Sequence, residues 1–488
     1  MSALPKQISG VISNSLRQFG MTIALVFLLL LFQVLTGGIE LTPDNIINIV
    51  TENAYVLILA VGMALVIIAG HIDLSVGSVA AFVGIVVAGA VANHHVPWPL
   101  AVVAGLLLGL VIGAWQGFWV AIVGVPAFIV TLAGMLIFRG LNQIVGQSAT
   151  LTVPNGIVFL GNGYLPDVGP DTGFNNLTVL LGLAGVVVLI VLEVRARRNA
   201  VRLGAPLRPL WASVMKVVLL CVATMVATYL FASGPIGKSF PIPGIILLVL
   251  VIAYGFLAAK TPLGRHIYAV GGNRAAAELT GVNVRRIDFF VMMNMGLIAA
   301  VAAIVFVGHA GASGPADGTG WELDAIAAVF IGGAAVSGGI GTVVNSVVGG
   351  LVIAVLNKGL QLQGVEVSTT AVIKGLVLLG AVALDVYNKA QGRPSIIGLL
   401  LNGLRRSTGT GVPGEVDPRL SSPAEPPSSG TERPSSSRDD DADAAGHESR
   451  HASGTSALPA AAVPGTSLPG TSLPTASLPT TSAMTTER

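Results

Sequence analysis

Apolar runs long enough to cross a lipid bilayer recur through the first 390 residues, and they constrain the fold more than anything else in the chain. They lie near 19–36, 50–70, 74–92, 98–122, 126–145, 176–193, 211–232, 243–259, 288–309, 323–338, 342–361 and 369–388. A helix rises about 1.5 Å per residue, so about 20 apolar residues cover the ~30 Å hydrocarbon core. The runs are continuous rather than short and alternating, which argues against a transmembrane barrel. The predicted fold is all-α: a polytopic membrane helix bundle with about 10–12 transmembrane helices. Only 10% of the residues are charged, against about 25% in a soluble chain, so lipid must replace the missing polar surface.

The net charge of +2 gives no electrostatic case for nucleic acid. The single cysteine, Cys221, excludes an intrachain disulfide and a zinc cluster of several thiolates. It is expected to be a plain buried thiol in the run 211–232. The first run follows Lys6 and Arg17, as in a signal sequence, but it is too long for a signal core and is read as an uncleaved first span.

Basic residues set the expected orientation. With a cytoplasmic N-terminus, the inner loops receive Lys6, Arg17, Arg195, Arg197, Arg198, Arg202, Arg208, Lys260, Arg265, Arg274, Arg285 and Arg286, followed by Lys389, Arg393, Arg405 and Arg406. The outer loops receive Glu40, Asp44, Asp167, Asp171, Asp317, Glu322 and Glu366, with Lys238 the one clear cation. This asymmetry is what the positive-inside rule expects, with both termini cytoplasmic in the cell membrane. Arg139, Lys358 and Lys374 fall within or near spans, where snorkelling to the interface is the expected explanation.

The chain divides into a cytoplasmic N-terminus (1–18), a transmembrane domain (19–390) with a large cytoplasmic loop (260–287), and a segment 407–488 rich in Ser, Thr, Pro and Ala. That last segment cannot bury enough apolar area to offset its ordering entropy, so it is expected to be a disordered cytoplasmic tail.

Two polar, glycine-rich interruptions stand out. In IIAGHIDLSVGS (67–78), Gly70 and Gly77 bracket His71, Asp73 and Ser75. In IGGAAVSGGIGTVVNS (331–346), five glycines accompany Ser337 and Asn345. Non-helical backbone survives at membrane depth only where it lines a cavity or packs on protein. Asp73 therefore has two readings: a residue of an ordinary inner loop, or the pin of a re-entrant turn, accepting backbone hydrogen bonds. The 331–346 glycines fit close helix packing as well as a path lining. Gly105, Gly109, Gly113 and Gly117 repeat every four residues and mark one helix face for close approach, within the subunit or between subunits.

The loop KTPLGRHIYAVGGNRAAAELTGVNVRRI (260–287) is helix-capable over 273–280. Asn273 suits an N-cap, and Gly281 suits the helix end because it adopts positive φ freely. A short helix here could dock on a soluble partner; a solvated loop with anchoring arginines is the alternative.

These residues resemble the sugar permease subunits of bacterial ATP-binding-cassette importers, the group with the ribose and xylose permeases. The matching stretches are GHIDLSVGS (70–78), TPLGRHIYAVGGNRAAAELTGVNV (261–284), GTGWELDAIAAVFIGGAAVSGGIGTV (318–343) and LNKGLQLQGV (356–365). VIGAWQGFWVA (111–121) looks most like the xylose or multiple-monosaccharide branch. The resemblance covers roughly 20–390 and implies two permease subunits, expected as a homodimer, forming one pathway. It also implies an ATPase subunit on the cytoplasmic side and an extracytoplasmic sugar-binding protein. The coupling role toward the ATPase is carried onto Asn273, Ala276, Glu278 and Gly281. No cofactor is expected in this chain; ATP and Mg²⁺ belong to the partner ATPase. The one GKS, Gly237–Lys238–Ser239, has Ala232 where a phosphate loop requires its first glycine.

Candidates for the translocation pathway are Asn53, Asp73, Ser75, Gln116, Asn142, Asn294, Ser337 and Asn345, polar residues within or beside apolar spans. Interhelical hydrogen bonds, worth about 0.6 kcal/mol each, account equally well for the amides among them. Two other transport classes stay open: a branched-chain amino-acid permease of the same superfamily, and an ion-coupled secondary transporter. The latter would use Asp73, Asp324, Lys358 or Lys374 as buried ionisable groups. Sugar selection is expected to rest mainly with the binding protein.

Overall fold

The computed structural model describes residues 4–204 and 209–390; the segment 407–488, expected to be a disordered tail, lies outside them. The described chain runs α1 (Leu4–Leu35), α2 (Pro43–Ile68), α3 (Val76–Ala92), α4 (Trp98–Phe118), α5 (Ala127–Val145), β1 (Leu151–Thr152), α6 (Asn155–Asn162), α7 (Asn176–Arg202), α8 (Leu210–Ala232), α9 (Ile242–Lys260), α10 (Pro262–Gly272), α11 (Arg274–Leu279), α12 (Val284–Ala310), β2 (Ala312–Ser313), α13 (Trp321–Ile331), α14 (Val343–Leu362) and α15 (Val367–Ala390). A five-residue π turn, Trp119–Val123, extends α4 to Gly124. Prolines sit in the first turns of α2, α4, α9 and α10, where the missing N–H breaks no helical bond and the fixed φ suits the helix.

Among the described residues, eight helices are long and apolar enough to cross a membrane, and Gly20–Leu35, Val76–Ala92 and Val367–Gly380 are shorter apolar helical stretches. The expected run 323–338 is not one helix. α13 stops at Ile331, and its hydropathy continues through a glycine turn that is not helical.

Hydropathy does not reveal which spans are central. Of the most apolar window of α2, 89% is buried inside the protein, against 6% for α7, although α7 is the more apolar of the two. A helix that is apolar all round satisfies either a protein interior or lipid. α2 lies in the core with α12, α13, α14 and α9 around it, while α7 and α8 pair at the periphery. Cys221 of α8, expected to be buried, is only partly so.

The glycine stripe of α4 serves contact within the subunit. Gly105 faces Val87 of α3, and the other three pack on the backbone of α12: a Cβ added at Gly109 would lie 2.5 Å from the Gly296 carbonyl oxygen, and one at Gly113 would lie 2.6 Å from that of Met293. Lipid offers no hydrophobic drive for helix association, so this close approach supplies the van der Waals contact that does.

A third interruption was not apparent from the sequence. Between α12 and α13, residues 311–320 run as extended chain and turns along α3. Ala312 and Ser313 pair antiparallel with Thr152 and Leu151. Further along, Gly318 meets Gly77 backbone to backbone. Asp317 Oδ2 accepts from the Gly314 N–H at 2.7 Å, and Asn142 Nδ2 donates to the Pro315 carbonyl at 3.2 Å.

The lysines and arginine inside spans do not depend on snorkelling. Lys358 reaches both oxygens of Glu52 at 2.8 and 3.0 Å, and Lys374 reaches those of Asp324 at 2.9 and 3.1 Å. Arg139 stands 3.8 Å from Glu322. Each charge meets an opposite one from another helix, which lowers the cost of holding it in the bundle.

Candidate functional site

The first break follows α2, whose carbonyls end in a turn closed by Gly70 at φ +87°. The chain then carries Asp73 and Ser75 into the interior. Asp73 is 2% exposed. Its Oδ1 accepts from the Ser75 N–H at 2.8 Å and the Ser75 hydroxyl at 2.7 Å, and Gln116 Nε2 donates to Ser75 Oγ at 2.7 Å. This matches the reading of Asp73 as the pin of a buried turn rather than as a solvated loop residue. The structure thus joins three of the eight pathway candidates, Asp73, Ser75 and Gln116, in one buried chain.

The other five bond elsewhere or face outward. Asn53 donates to the Ile49 carbonyl of its own helix at 2.9 Å. Asn142 ties down the extended segment, as above. Asn294 Oδ1 accepts from the Tyr254 hydroxyl at 2.5 Å. Ser337 and Asn345 are exposed beside the second break.

The second break is a glycine turn between α13 and α14. Gly333, Gly338 and Gly339 take φ of +87°, +79° and +73°, where a side chain would be strained. Ala335 N–H bonds the Ile340 carbonyl at 3.0 Å, and Thr342 caps α14 by accepting from the Asn345 N–H at 3.1 Å.

Both breaks meet the loop 260–287, a convergence the sequence did not reveal. The Gly339 N–H donates to the Ile68 carbonyl at the end of α2, at 2.8 Å. A Cβ at Gly271, in the last turn of α10, would overlap that Ile68 carbonyl and lie 2.8 Å from the Gly339 nitrogen. Tyr268 of α10 donates its hydroxyl to the Gly341 carbonyl at 2.7 Å. Three backbones therefore touch with no side chain between them.

A charged cluster makes a further connection. Asp288, in the second turn of α12, is wholly buried. His71 Nε2 lies 2.8 Å from its Oδ1, and Arg274, the first residue of α11, forms an ion pair with its Oδ2. A cavity of about 450 Å³ opens beside this cluster, lined by His71, Arg274 and the α4–α5 turn. Sequence reasoning passed over Asp288, although a carboxylate near the start of an otherwise apolar span is itself a signal.

α11 is short but firmly bounded. Asn273 Oδ1 accepts from the Ala276 N–H at 3.0 Å. At the other end Gly281 N–H bonds the Glu278 carbonyl at 2.9 Å and Val282 N–H bonds the Ala277 carbonyl at 3.0 Å, with Gly281 at φ +85°. That pair of bonds is the Schellman closure, which satisfies carbonyls a helix end otherwise leaves open. Asn273, Ala276, Glu278 and Gly281 are all exposed, and Leu279 between them is 90% exposed.

Comparison with known proteins places these features. The family described as "Branched-chain amino acid transport system / permease component" matches residues 45–382. The xylose transport system permease protein XylH of Haemophilus influenzae is 37% identical over 380 residues, covering 78% of this chain and 98% of that protein. The XylH of Escherichia coli K12 is 37% identical over 384 residues, covering 78% and 95%. The ribose import permease protein RbsC of the same strain is 34% identical over 369 residues, covering 76% and 93%. No solved structure gives a significant match. The chain therefore belongs to this permease-component family of multi-pass membrane transport proteins, and within it stands with the xylose and ribose permeases.

Proposed function

We propose that this chain is the membrane-spanning permease subunit of an ATP-binding-cassette importer for a monosaccharide, a xylose-like pentose or related sugar. The observation that carries the reading is its likeness to the xylose permeases, which spans nearly their whole length. A separate ATPase subunit binds ATP and Mg²⁺ and drives transport, an extracytoplasmic binding protein delivers the sugar, and a second copy of this chain completes the pathway. The basic end of the bundle, with Lys260, Arg265, Arg274, Arg285 and Arg286, faces the cytoplasm, as do both termini. The exposed α11 with its Leu279 knob supports a docking role there. The contacts of the adjoining α10 with both breaks supply a route from a moving ATPase to the interior.

The ion-coupled alternative finds no support among the similar proteins, which are named as xylose and ribose permeases. Co-purification from native membranes with the ATPase and binding protein, followed by reconstitution, tests the proposal. Pentose-stimulated ATP hydrolysis and uptake are expected. Stimulation by branched-chain amino acids instead, or uptake by this polypeptide alone driven by an ion gradient, would refute it.

A further inference from the structure

We infer that His71, Asp288 and Arg274 form the transmission link that moves the buried turn at Asp73 when the ATPase-facing helix α11 moves. The inference rests on the importer reading and assigns the link to specific side chains. Arg274 is the first residue of α11, Asp288 belongs to α12, and His71 lies two residues before Asp73. The Asp288 carboxylate is wholly buried and divided between two donors, with Oδ1 at 2.8 Å from His71 Nε2 and Oδ2 on the Arg274 guanidinium. Arg274 Nη1 adds a longer contact to Oδ1 at 3.5 Å.

Giving up either partner would leave the wholly buried Asp288 carboxylate under-paired, so the link resists slipping through a displacement. A shift of α11 therefore pulls on Asp288 and, through it, on His71. The backbone between His71 and Ser75 carries the same shift to the Asp73–Ser75–Gln116 chain, inside the bundle. The glycine junction runs alongside and reaches the second break, so it steers α13 and α14 while the charged link steers the turn before α3. Among the described residues, no other side chain of α11 enters a hydrogen bond that leads to the first break.

The test uses the full chain assembled with its ATPase and binding protein in proteoliposomes, reading sugar moved per ATP hydrolysed. His71 lies away from the exposed surface of α11, so His71→Ala should leave the complex assembled while that ratio falls about tenfold, within the usual range of coupling between sites. His71→Gln places an amide N–H within reach of the same oxygen and should recover the ratio to within about twofold. Asp288→Asn keeps the volume, removes the charge and should behave as His71→Ala; it decides the matter if His71→Ala does not assemble. A normal ratio in His71→Ala overturns the link, and so does a glutamine variant as impaired as the alanine one, since a packing role alone would produce that. A wild-type complex whose ATPase ignores sugar would instead refute the importer reading, and the link with it.

Discussion

Gly113→Ala offers a sharp test of how the bundle is held together. A Cβ at this position lies 2.6 Å from the Met293 carbonyl oxygen, 2.7 Å from that of Met292 and 2.9 Å from Met293 Cα. All three atoms are backbone of α12, so no side chain can turn aside and the helices must separate. Reaching a tolerable carbon–oxygen distance opens the α4–α12 crossing by about 0.6–1 Å, and a gap of that size forfeits a quarter to a half of each dispersion contact. Overpacking of this kind costs about 1–3 kcal/mol. Alanine also gains up to about 1 kcal/mol over glycine in helix propensity, so the control must carry the same gain. Gly255 of α9 and Gly140 of α5 are helical glycines with nothing within 4 Å of an added Cβ. Comparing Gly113→Ala with Gly255→Ala therefore isolates the contact. The expected difference is about 1–3 kcal/mol in reversible unfolding in mixed detergent micelles, with Gly113→Ala the less stable. Equal stability of the two variants would show that the stripe does not set the approach of α4 and α12.

Three further outcomes are expected. Gly281→Val places a β-branched residue at φ +85°, a strain of about 1–2 kcal/mol that opens the α11 closure; with Glu278→Lys on the exposed face, both should uncouple ATP hydrolysis from uptake without impairing insertion, and normal transport in both would remove the coupling assignment. Lys358→Met should destabilise by about 1–2 kcal/mol, less than for a fully buried pair because Glu52 is one-third exposed, and adding Glu52→Gln should restore most of it in a double-mutant cycle. Lys238, outside the spans, donates a hydrogen bond at 2.7 Å to the Asp44 carboxylate in the first turn of α2, which holds its ammonium above the ordinary lysine value. Because the folded-state value is raised, the contribution is complete below the unfolded-state value and is lost as pH rises through the folded one. The melting difference between wild type and Lys238→Met should therefore stay constant near neutrality and vanish only in strong alkali.

What the sequence disclosed was local. Continuous apolar runs located most of the helices to within a few residues, with α1, α2, α7 and α13 the exceptions, because length and hydropathy are properties of a single segment. The cap at Asn273 and the left-handed Gly281 were legible for the same reason, since three or four neighbouring residues decide them. The glycine period of α4 announced a close contact but not its partner. The partners themselves were illegible. Nothing near Lys358 points to Glu52, and His71 and Asp288 belong to different motifs. The extended stretch at 311–320 read as an outer loop because its glycines, proline and aspartate are what exposed turns also use. Only its seating along α3 shows that it belongs inside.

The pairing of Lys358 with Glu52 has a consequence for biogenesis. The two residues are 306 positions apart. At typical synthesis rates the ribosome needs about 15–60 s to travel from one to the other. Throughout that interval Glu52 already occupies the second membrane segment without its cation. Because α14 carries the cation, α2 completes its packing only after α14 has been made, so the most deeply buried span of the finished bundle is among the last to gain all its contacts.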